Sequence, residues 1–251
     1  TAETIEVLNI NTSSSQSSQI RDMFNFNNKL VFVADDAGTR TDPAVGAEIW
    51  TSNGTAAGTT LLSDVLPGSG SSTRVDALPY FTKFNNFLYF AAEGQESAAA
   101  TGRELFRTTG LSNGHILVKD ISIGEGGSSP TDLVVSGADF NSSSPGVLYF
   151  VAGTDTEGRE LWKSDGTTDP EGTTLVKNIR PGGDSSDIQN ITPLISNSDS
   201  ALTPDLAFGV IFTANDGASG NELWYSDGTS DGTIRVKDIT SGENGTIFRH
   251  F

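Results

Sequence analysis

The chain has 251 residues, long enough to bury a sizeable core as one large all-β domain or as two smaller ones. Its net charge of −17 and pI near 4.3 argue against binding nucleic acid or an anionic membrane, because both need clustered Lys and Arg. The absence of cysteine excludes a disulfide framework and a cysteine-based zinc or redox site. No run of about 18 apolar residues is present, so no membrane insertion is predicted.

In chain order the sequence predicts short strands separated by turns rich in Gly, Ser, Thr, Asn and Asp. Thr4 to Ile10 predicts a strand, Ile20 to Phe26 a second one, and Lys29 to Ala34 opens the first full unit. Three later segments repeat that opening strand with apolar residues on both faces. They are Leu88 to Ala92, Leu148 to Ala152 and Val210 to Ala214. Such a strand needs cover on both sides, which stacked antiparallel sheets provide.

A motif of Glu, an apolar residue and an aromatic residue recurs four times. Its aromatic residues are Trp50, Phe106, Trp162 and Trp224, separated by 56, 56 and 62 residues. This period indicates a repeat architecture. Each repeat predicts four strands: the apolar strand, the Glu-Leu-Trp strand, a Leu-Val-Lys-Asp-Ile strand, and a weaker strand after a Pro-Gly-Ser turn, such as Val75 to Phe81.

Four antiparallel strands in about 50 residues are typical of a propeller blade. The predicted fold is therefore all-β, a β-propeller-like array of about four four-stranded antiparallel blades. It forms a single repeat domain over 1–251, with a partial repeat at 1–28, full repeats at 29–86, 87–146 and 147–206, and a last repeat at 207–251. With Ile247 to Phe251 as the final strand, extra half-blade strands remain at the termini. Alanines that end the apolar strands place that strand innermost in the blade; they are Ala34, Ala92, Ala152 and Ala214.

The third copy of the motif, Gly158 to Thr167, reads Gly-Arg-Glu-Leu-Trp-Lys-Ser-Asp-Gly-Thr and is followed by Gly172 to Ile179. It resembles the bacterial ELWxxDGT repeat, and the resemblance covers almost the entire chain. It implies propeller-like repeats in a secreted or cell-surface protein and specifies no activity. The second copy departs from the consensus at Thr109 to Leu111, and Asn53 replaces the Asp in the first copy.

Two interpretations apply to the acidic turns. Asp165-Gly166, Asp227-Gly228 and Asn53-Gly54 predict type I′ turns, whose two central residues need positive φ. Oxygen-rich loops also offer carboxylates to calcium, the one cofactor that the sequence suggests. The candidate calcium ligands are Asp35, Asp36, Asp155, Glu157 and Asp216.

Two interpretations apply to the aromatic residues of the motif. They pack between blades, which we favour, or they stack on sugars if exposed. The recurring glutamates, Glu48, Glu104, Glu160 and Glu222, need a partner if they are buried. We expect structural ion pairs with the lysines of the next strand or the arginines just before the Glu. The candidates are Lys119, Lys177, Lys237, Arg103 and Arg159.

No motif for a nucleophile, a phosphate loop, a dinucleotide or a metalloprotease is present, so we expect no enzyme. The sequence predicts an extracellular or cell-surface protein with a structural, self-assembling or adhesive role. Its partners would be other copies of itself or cell-surface components, joined by strand exchange at the unpaired half-blades. The alternative is a glycan-binding lectin, with calcium as its candidate cofactor.

Overall fold

The computed structural model describes residues 4, 6–13, 17–39, 46–74, 76–96, 99–137, 146–194, 209–242 and 245–246. In this part of the chain the protein is all-β, as predicted, with 16 strands in four antiparallel sheets of four strands each. These residues form no helix, so no helix within them is long and apolar enough to cross a membrane.

The chain divides into two compact units. The first comprises Thr1–Leu117 with Gly124–Gly126, and the second comprises Val118–Ile123 with Gly127–Phe251. Sheet 1 lies in the first unit and contains β1 Arg21–Phe26, β2 Lys29–Asp35, β3 Ala47–Ser52 and β4 Thr60–Ser63. Sheet 2 contains β5 Thr82–Phe84, β6 Phe87–Glu96, β7 Ala99–Thr108 and β8 His115–Lys119. The second unit holds sheet 3, with β9 Thr131–Ser136, β10 Val147–Thr154, β11 Gly158–Ser164 and β12 Thr173–Lys177. It also holds sheet 4, with β13 Gln189–Leu194, β14 Gly209–Asn215, β15 Asn221–Ser226 and β16 Ile234–Lys237.

Each sheet is a meander whose strands pair in chain order. The weak strand that was predicted to end each repeat is instead the first strand of the next sheet. In sheet 1 the physical reason is a two-residue turn at Asn27 and Asn28, with φ of 51° and 61°, which joins β1 to β2 as a tight hairpin. The apolar strand therefore lies second in each sheet, with a neighbour on both sides. The prediction that it is the innermost strand of a blade is wrong.

The half blade predicted at the N-terminus is also wrong. Thr4 to Ile10 forms no strand in its described residues, and β1 completes sheet 1 rather than standing unpaired. The strand predicted over Val75 to Phe81 begins later, at Thr82, and Val75 itself lies outside the described residues. Ile247 to Phe251 lies outside them too. All 16 strands belong to complete four-stranded sheets.

One register repeats between the second and third strands of all four sheets. The Glu of the motif lies opposite an Ala, and the aromatic residue of the motif lies opposite a Phe. The pairs are Ala34 with Glu48, Ala92 with Glu104, Ala152 with Glu160, Ala214 with Glu222, Phe32 with Trp50, Phe90 with Phe106, Phe150 with Trp162, and Phe212 with Trp224. Because residues directly opposite each other share a face, each sheet has one face with these four side chains. We call it the aromatic face, and the other the aliphatic face.

Each unit has a core in which the aliphatic face of one sheet packs on the aromatic face of the next. In the first unit, sheet 1 packs on sheet 2 through Val31, Ile49, Leu62, Val65, Phe90, Ala92 and Phe106. In the second unit, sheet 3 packs on sheet 4 through Val151, Leu161, Val176, Ile179, Phe212, Ala214 and Trp224. The two-sided apolar strand is thus explained by stacked sheets, as its pattern predicted.

Candidate functional site

The glutamate of the first repeat is buried and holds a loop by its two carboxylate oxygens. Glu48 Oε2 accepts hydrogen bonds from the backbone N–H of Val65, at 3.1 Å, and from the Ser72 hydroxyl, at 2.5 Å. Its Oε1 accepts one from the Ser72 N–H at 2.8 Å. The carboxyl group therefore ties the loop between β4 and the next sheet to β3 at two points, Val65 and Ser72. The opposite residue, Ala34, is small enough to leave room for this side chain.

Glu160 and Glu222 repeat the arrangement in the second unit. The N–H groups of Ile179 and Arg180 each donate to Glu160 at 3.1 Å. The N–H groups of Ile239 and Thr240 donate to Glu222 at 3.0 and 3.2 Å, and the Thr246 hydroxyl adds a bond of 3.0 Å. The recurring glutamate is thus a structural clamp on the loop that follows the fourth strand.

The predicted ion pairs are wrong for these three glutamates, because backbone N–H groups satisfy the carboxylates. The lysines have another role. The Lys119 ammonium donates to the carbonyls of Pro170 and Thr173, both at 2.8 Å, and that of Lys177 donates to those of Ser230 and Thr233, at 3.1 and 2.9 Å. Each lysine thus fastens its strand to the turn of the next repeat. Lys237, the third lysine in the series, is exposed, and its ammonium makes no hydrogen bond to the described residues.

Arg159 is also directed away from the glutamates. Its guanidinium donates to the carbonyls of Ser128 and Ser129, at 3.4 and 2.8 Å, and to the Thr131 hydroxyl at 2.8 Å. In the first unit, the Arg103 guanidinium donates to the carbonyl of Leu78. These arginines attach the third strand to the loop that precedes the first strand of the same sheet.

The pKa values of the three clamps shift in different directions. Burial raises the pKa of Glu48 to about 8, against the lowering effect of its hydrogen bonds. Burial also raises the pKa of Glu160. Glu222 is equally inaccessible to solvent, and burial opposes its ionisation. There, however, the bonds from Ile239, Thr240 and Thr246, with the charge of Arg235, outweigh burial and lower the pKa.

The Asp-Gly turns are held by their own side chains, but they are not type I′ turns. Gly166 and Gly228 have φ of 86° and 87°, whereas Asp165 and Asp227 are not in the positive-φ region. Asp165 Oδ1 instead accepts bonds from the N–H and hydroxyl of Thr167, at 2.8 and 2.7 Å. Asp227 and Asn53 make the same pair of bonds to the Thr two residues on. The Asp of the motif is therefore an Asx-turn residue, and Asn can replace it.

The aromatic residues of the motif are buried on the aromatic faces of their sheets. Trp50, Phe106, Trp162 and Trp224 are all buried, and Trp224 Nε1 donates to the Ala214 carbonyl at 3.1 Å. Packing explains their recurrence, and none of them is placed to stack on a sugar in this state.

The five candidate calcium ligands are divided among three turns, which follow β2, β10 and β14. Asp35 Oδ1 accepts a bond from the N–H of Ala37, and Asp36 Oδ1 one from the N–H of Gly38. Asp216 caps its own turn and lies 3.3 Å from the Arg235 guanidinium. Asp155 is exposed and Glu157 is half-buried in the β10–β11 turn. Over the part of the chain that the structure describes, no three His, Cys, Asp or Glu side chains gather as a metal site would require.

A hydroxyl-rich cavity of about 360 Å³ lies beside Asp155 in the second unit. Three loops line it, and they contribute Ser122, Ser128, Ser129, Thr154, Asp155, Arg159 and Ser185. Asp155 is the one carboxylate among the lining residues. The arrangement offers hydroxyl groups, the Asp155 carboxylate and the Arg159 guanidinium to a small polar ligand.

The aliphatic face of sheet 4 is open. Val236 and Ile239 are 52% and 51% exposed, whereas Val176 and Ile179, their counterparts in sheet 3, are 4% and 5% exposed. Ile211 and Leu223 on the same face are half-buried, although the matching residues of the other three sheets are buried. Sequence reasoning missed this surface, because the residues that form it are the same apolar types as in the buried copies.

These features define an all-β repeat protein whose described residues form four similar four-stranded sheets, three of which have a glutamate clamp in the third strand. No protein-family model matches the chain, and no curated protein matches it either. The resemblance to the ELWxxDGT repeat therefore stays a prediction from the residues of this chain.

Proposed function

We propose that this chain is a non-enzymatic extracellular or cell-surface protein whose role is structural, self-assembling or adhesive. The observation that carries the proposal is the open aliphatic face of sheet 4. In a chain whose other repeats bury that surface, it is an apolar patch rimmed by polar residues, which is typical of a protein interaction site. The net charge of −17 suits salty surroundings, where screening makes it tolerable.

The use of the motif residues supports this proposal. Glu48, Glu160 and Glu222 hold loops, the aromatic residues of the motif are buried, and Asp165 and Asp227 stabilise turns. These side chains thus have structural uses within the repeats. We further propose that the four sheets are arranged as propeller-like blades, since face-to-face stacking of four-stranded meanders is the packing of that architecture.

The route to assembly differs from strand exchange at half-blades, because the described strands form complete sheets. We propose face-to-face docking of sheets between copies instead. Negative-stain electron microscopy of the purified protein, with a mass determination on the same sample, tests it. Filaments or closed oligomers would support self-assembly. Discrete monomers at every concentration would contradict it.

The second candidate is a glycan-binding lectin, and the hydroxyl-rich cavity beside Asp155 favours it. A glycan array, read with and without a chelator, distinguishes the two functions. Saturable sugar binding that is lost in an Asp155→Ala variant and retained in an Asp184→Ala variant would favour the lectin. Asp184 is the matched control because it is a nearby acidic residue that does not line the cavity.

A further inference from the structure

The exposed side chains of sheet 4 correspond to residues that have a defined partner elsewhere in the chain. In the second unit, Val176 and Ile179 belong to one buried core with Phe212, Ala214 and Trp224 of the next sheet. In the first unit, the aliphatic face of sheet 1 packs in the same way on Phe90, Ala92 and Phe106. The surface that fits the open face is therefore the aromatic face of another repeat of this kind.

The free lysine of the last repeat indicates the same partner. Lys177 donates to the Ser230 and Thr233 carbonyls of the repeat that covers its sheet. In the first repeat, Ala56 and Thr59 occupy the same turn positions, since Thr59 N–H donates to the Ala56 carbonyl as Thr233 N–H donates to that of Ser230. A first repeat docked on sheet 4 would offer these two carbonyls to Lys237.

The aromatic face of sheet 1 is covered by a short segment of chain, which another sheet can displace. A segment that forms no strand lies over it, with Ile10 buried against Phe32, Ala34 and Trp50 and with Leu8 half-buried beside them. Ile10 thus shares a core with the same Phe, Ala and Trp positions with which Ile179 shares a core in the second unit. The segment covers the aromatic face of sheet 1 as an aliphatic face covers that of sheet 2 or sheet 4, but with fewer side chains.

We propose that the open aliphatic face of sheet 4 docks on the aromatic face of sheet 1 of a second copy of this chain, where it displaces that copy's residues 8–10. The inference rests on the proposed self-assembly and names its two surfaces. The contact is head-to-tail, so every added copy presents a new open face, and filaments form unless the rotation closes a ring.

A symmetric contact between two open faces is disfavoured. It would bring the ammonium groups of the two Lys237 residues towards each other, and like charges repel. It would also place two aliphatic faces together, whereas the cores of both units pair an aliphatic face with an aromatic one.

Sedimentation of the full chain at moderate salt measures the association. The Ile239→Lys variant places a charge in the docked face and should raise the dissociation constant at least about tenfold, whereas Ile123→Lys should leave it within about twofold. Ile123 is 91% exposed, so it controls for the added charge. Ile10→Ala loosens the cover on sheet 1 and should lower the dissociation constant by about tenfold.

Cysteine pairs identify the two surfaces, since the natural chain has no cysteine. We would mix a Lys237→Cys variant with an Ala56→Cys variant and treat the mixture with a short thiol-reactive crosslinker. The 237–56 heterodimer should form, and a mixture of Lys237→Cys with Leu111→Cys should not form one, although Leu111 is an exposed turn residue.

Three outcomes overturn the proposal. Equal association of the Ile239→Lys and Ile123→Lys variants would overturn the docking face and leave self-assembly intact. Crosslinking of Lys237→Cys to itself in preference to Ala56→Cys would overturn the head-to-tail geometry. A monomeric wild-type protein, with Ile10→Ala monomeric as well, would overturn both this inference and the proposed self-assembly.

Discussion

Sheets 3 and 4 have nearly the same motif and the same strand register, and they differ in what lies over the aliphatic face. In both, the Glu clamps two backbone N–H groups and the Asp holds its turn. Yet Val176 and Ile179 are buried where Val236 and Ile239 are exposed. The comparison teaches that the motif builds the sheet, whereas the neighbouring sheet decides which apolar residues become core.

The largest expected difference is in the free energy of unfolding when the matched residues Ile179 and Ile239 are replaced by Ala. Ile179→Ala should lower the free energy of unfolding by about 2–5 kcal/mol, because it leaves a cavity in the core of the second unit. Ile239→Ala should change it by no more than about 0.5 kcal/mol in the monomer, because that side chain is half exposed. Urea unfolding of the two variants at low protein concentration measures both. Equal losses would show that the fourth sheet is covered within the monomer.

The clamps should differ in the pH dependence of stability. Replacing Glu160 or Glu222 by Gln should cost about 1–3 kcal/mol, because one backbone N–H loses its acceptor in each case. The pKa of Glu160 is raised, so its carboxyl contributes most stability below its ordinary pKa of 4.5 and loses it as pH rises through the raised value. The pKa of Glu222 is lowered, so its contribution is present above 4.5 and is lost as pH falls.

Unfolding of the wild type and both Gln variants across the pH range tests these signs. The cost of Glu160→Gln should shrink as pH rises, and that of Glu222→Gln should shrink as pH falls. Glu48→Gln should behave like Glu160→Gln, with the change between pH 4.5 and about 8. Costs that vary with pH in the same direction for Glu160 and Glu222 would contradict the different environments of the two clamps.

The lysines should show a smaller contrast. Lys177→Met removes two bonds to turn carbonyls and should cost about 1 kcal/mol. Lys237→Met should leave the stability of the monomer within about 0.5 kcal/mol, since the ammonium of this lysine bonds to none of the described residues. Thermal unfolding in dilute solution compares them. A cost for Lys237→Met as large as that for Lys177→Met would mean that Lys237 already has a partner in the monomer.

The Asp165 and Asp227 turns should contribute equally to stability, so they serve as the internal control. Asp165→Ala and Asp227→Ala each remove an acceptor for two bonds from Thr and should cost the same, about 0.5–1 kcal/mol. Asp227→Asn should be within about 0.5 kcal/mol of the wild type, because Asn53 already makes these bonds in the first repeat. Chemical unfolding of the three variants measures these costs. Different losses of free energy of unfolding for the two Ala variants would contradict the equivalence of the two turns.

The sequence predicted those strands whose apolar pattern is visible within a few consecutive residues. Leu148 to Ala152 is apolar on both faces, and the structure covers both. It did not predict the grouping of strands, because β1 and β13 have weak patterns and only the tight hairpin at Asn27 and Asn28 pairs β1 with the strand that follows. That dipeptide was an available signal, since Asn tolerates positive φ better than most residues.

The candidate site was predicted less well than the fold. A buried Glu implies a partner, but backbone N–H groups are present at every residue and leave no mark in the sequence, so Lys177 was the more visible candidate. The exposure of Val236 depends on whether another surface covers its sheet, which the residues around it do not encode.

The most direct test of the account is amide hydrogen exchange measured at low and at high protein concentration. Protection of residues 234–240 should rise with concentration as sheet 4 docks on another copy, while that of 173–180 stays constant because its sheet is already covered. If both segments keep constant protection while the measured mass rises, the copies associate elsewhere, and the open face of sheet 4 is not the surface that joins them.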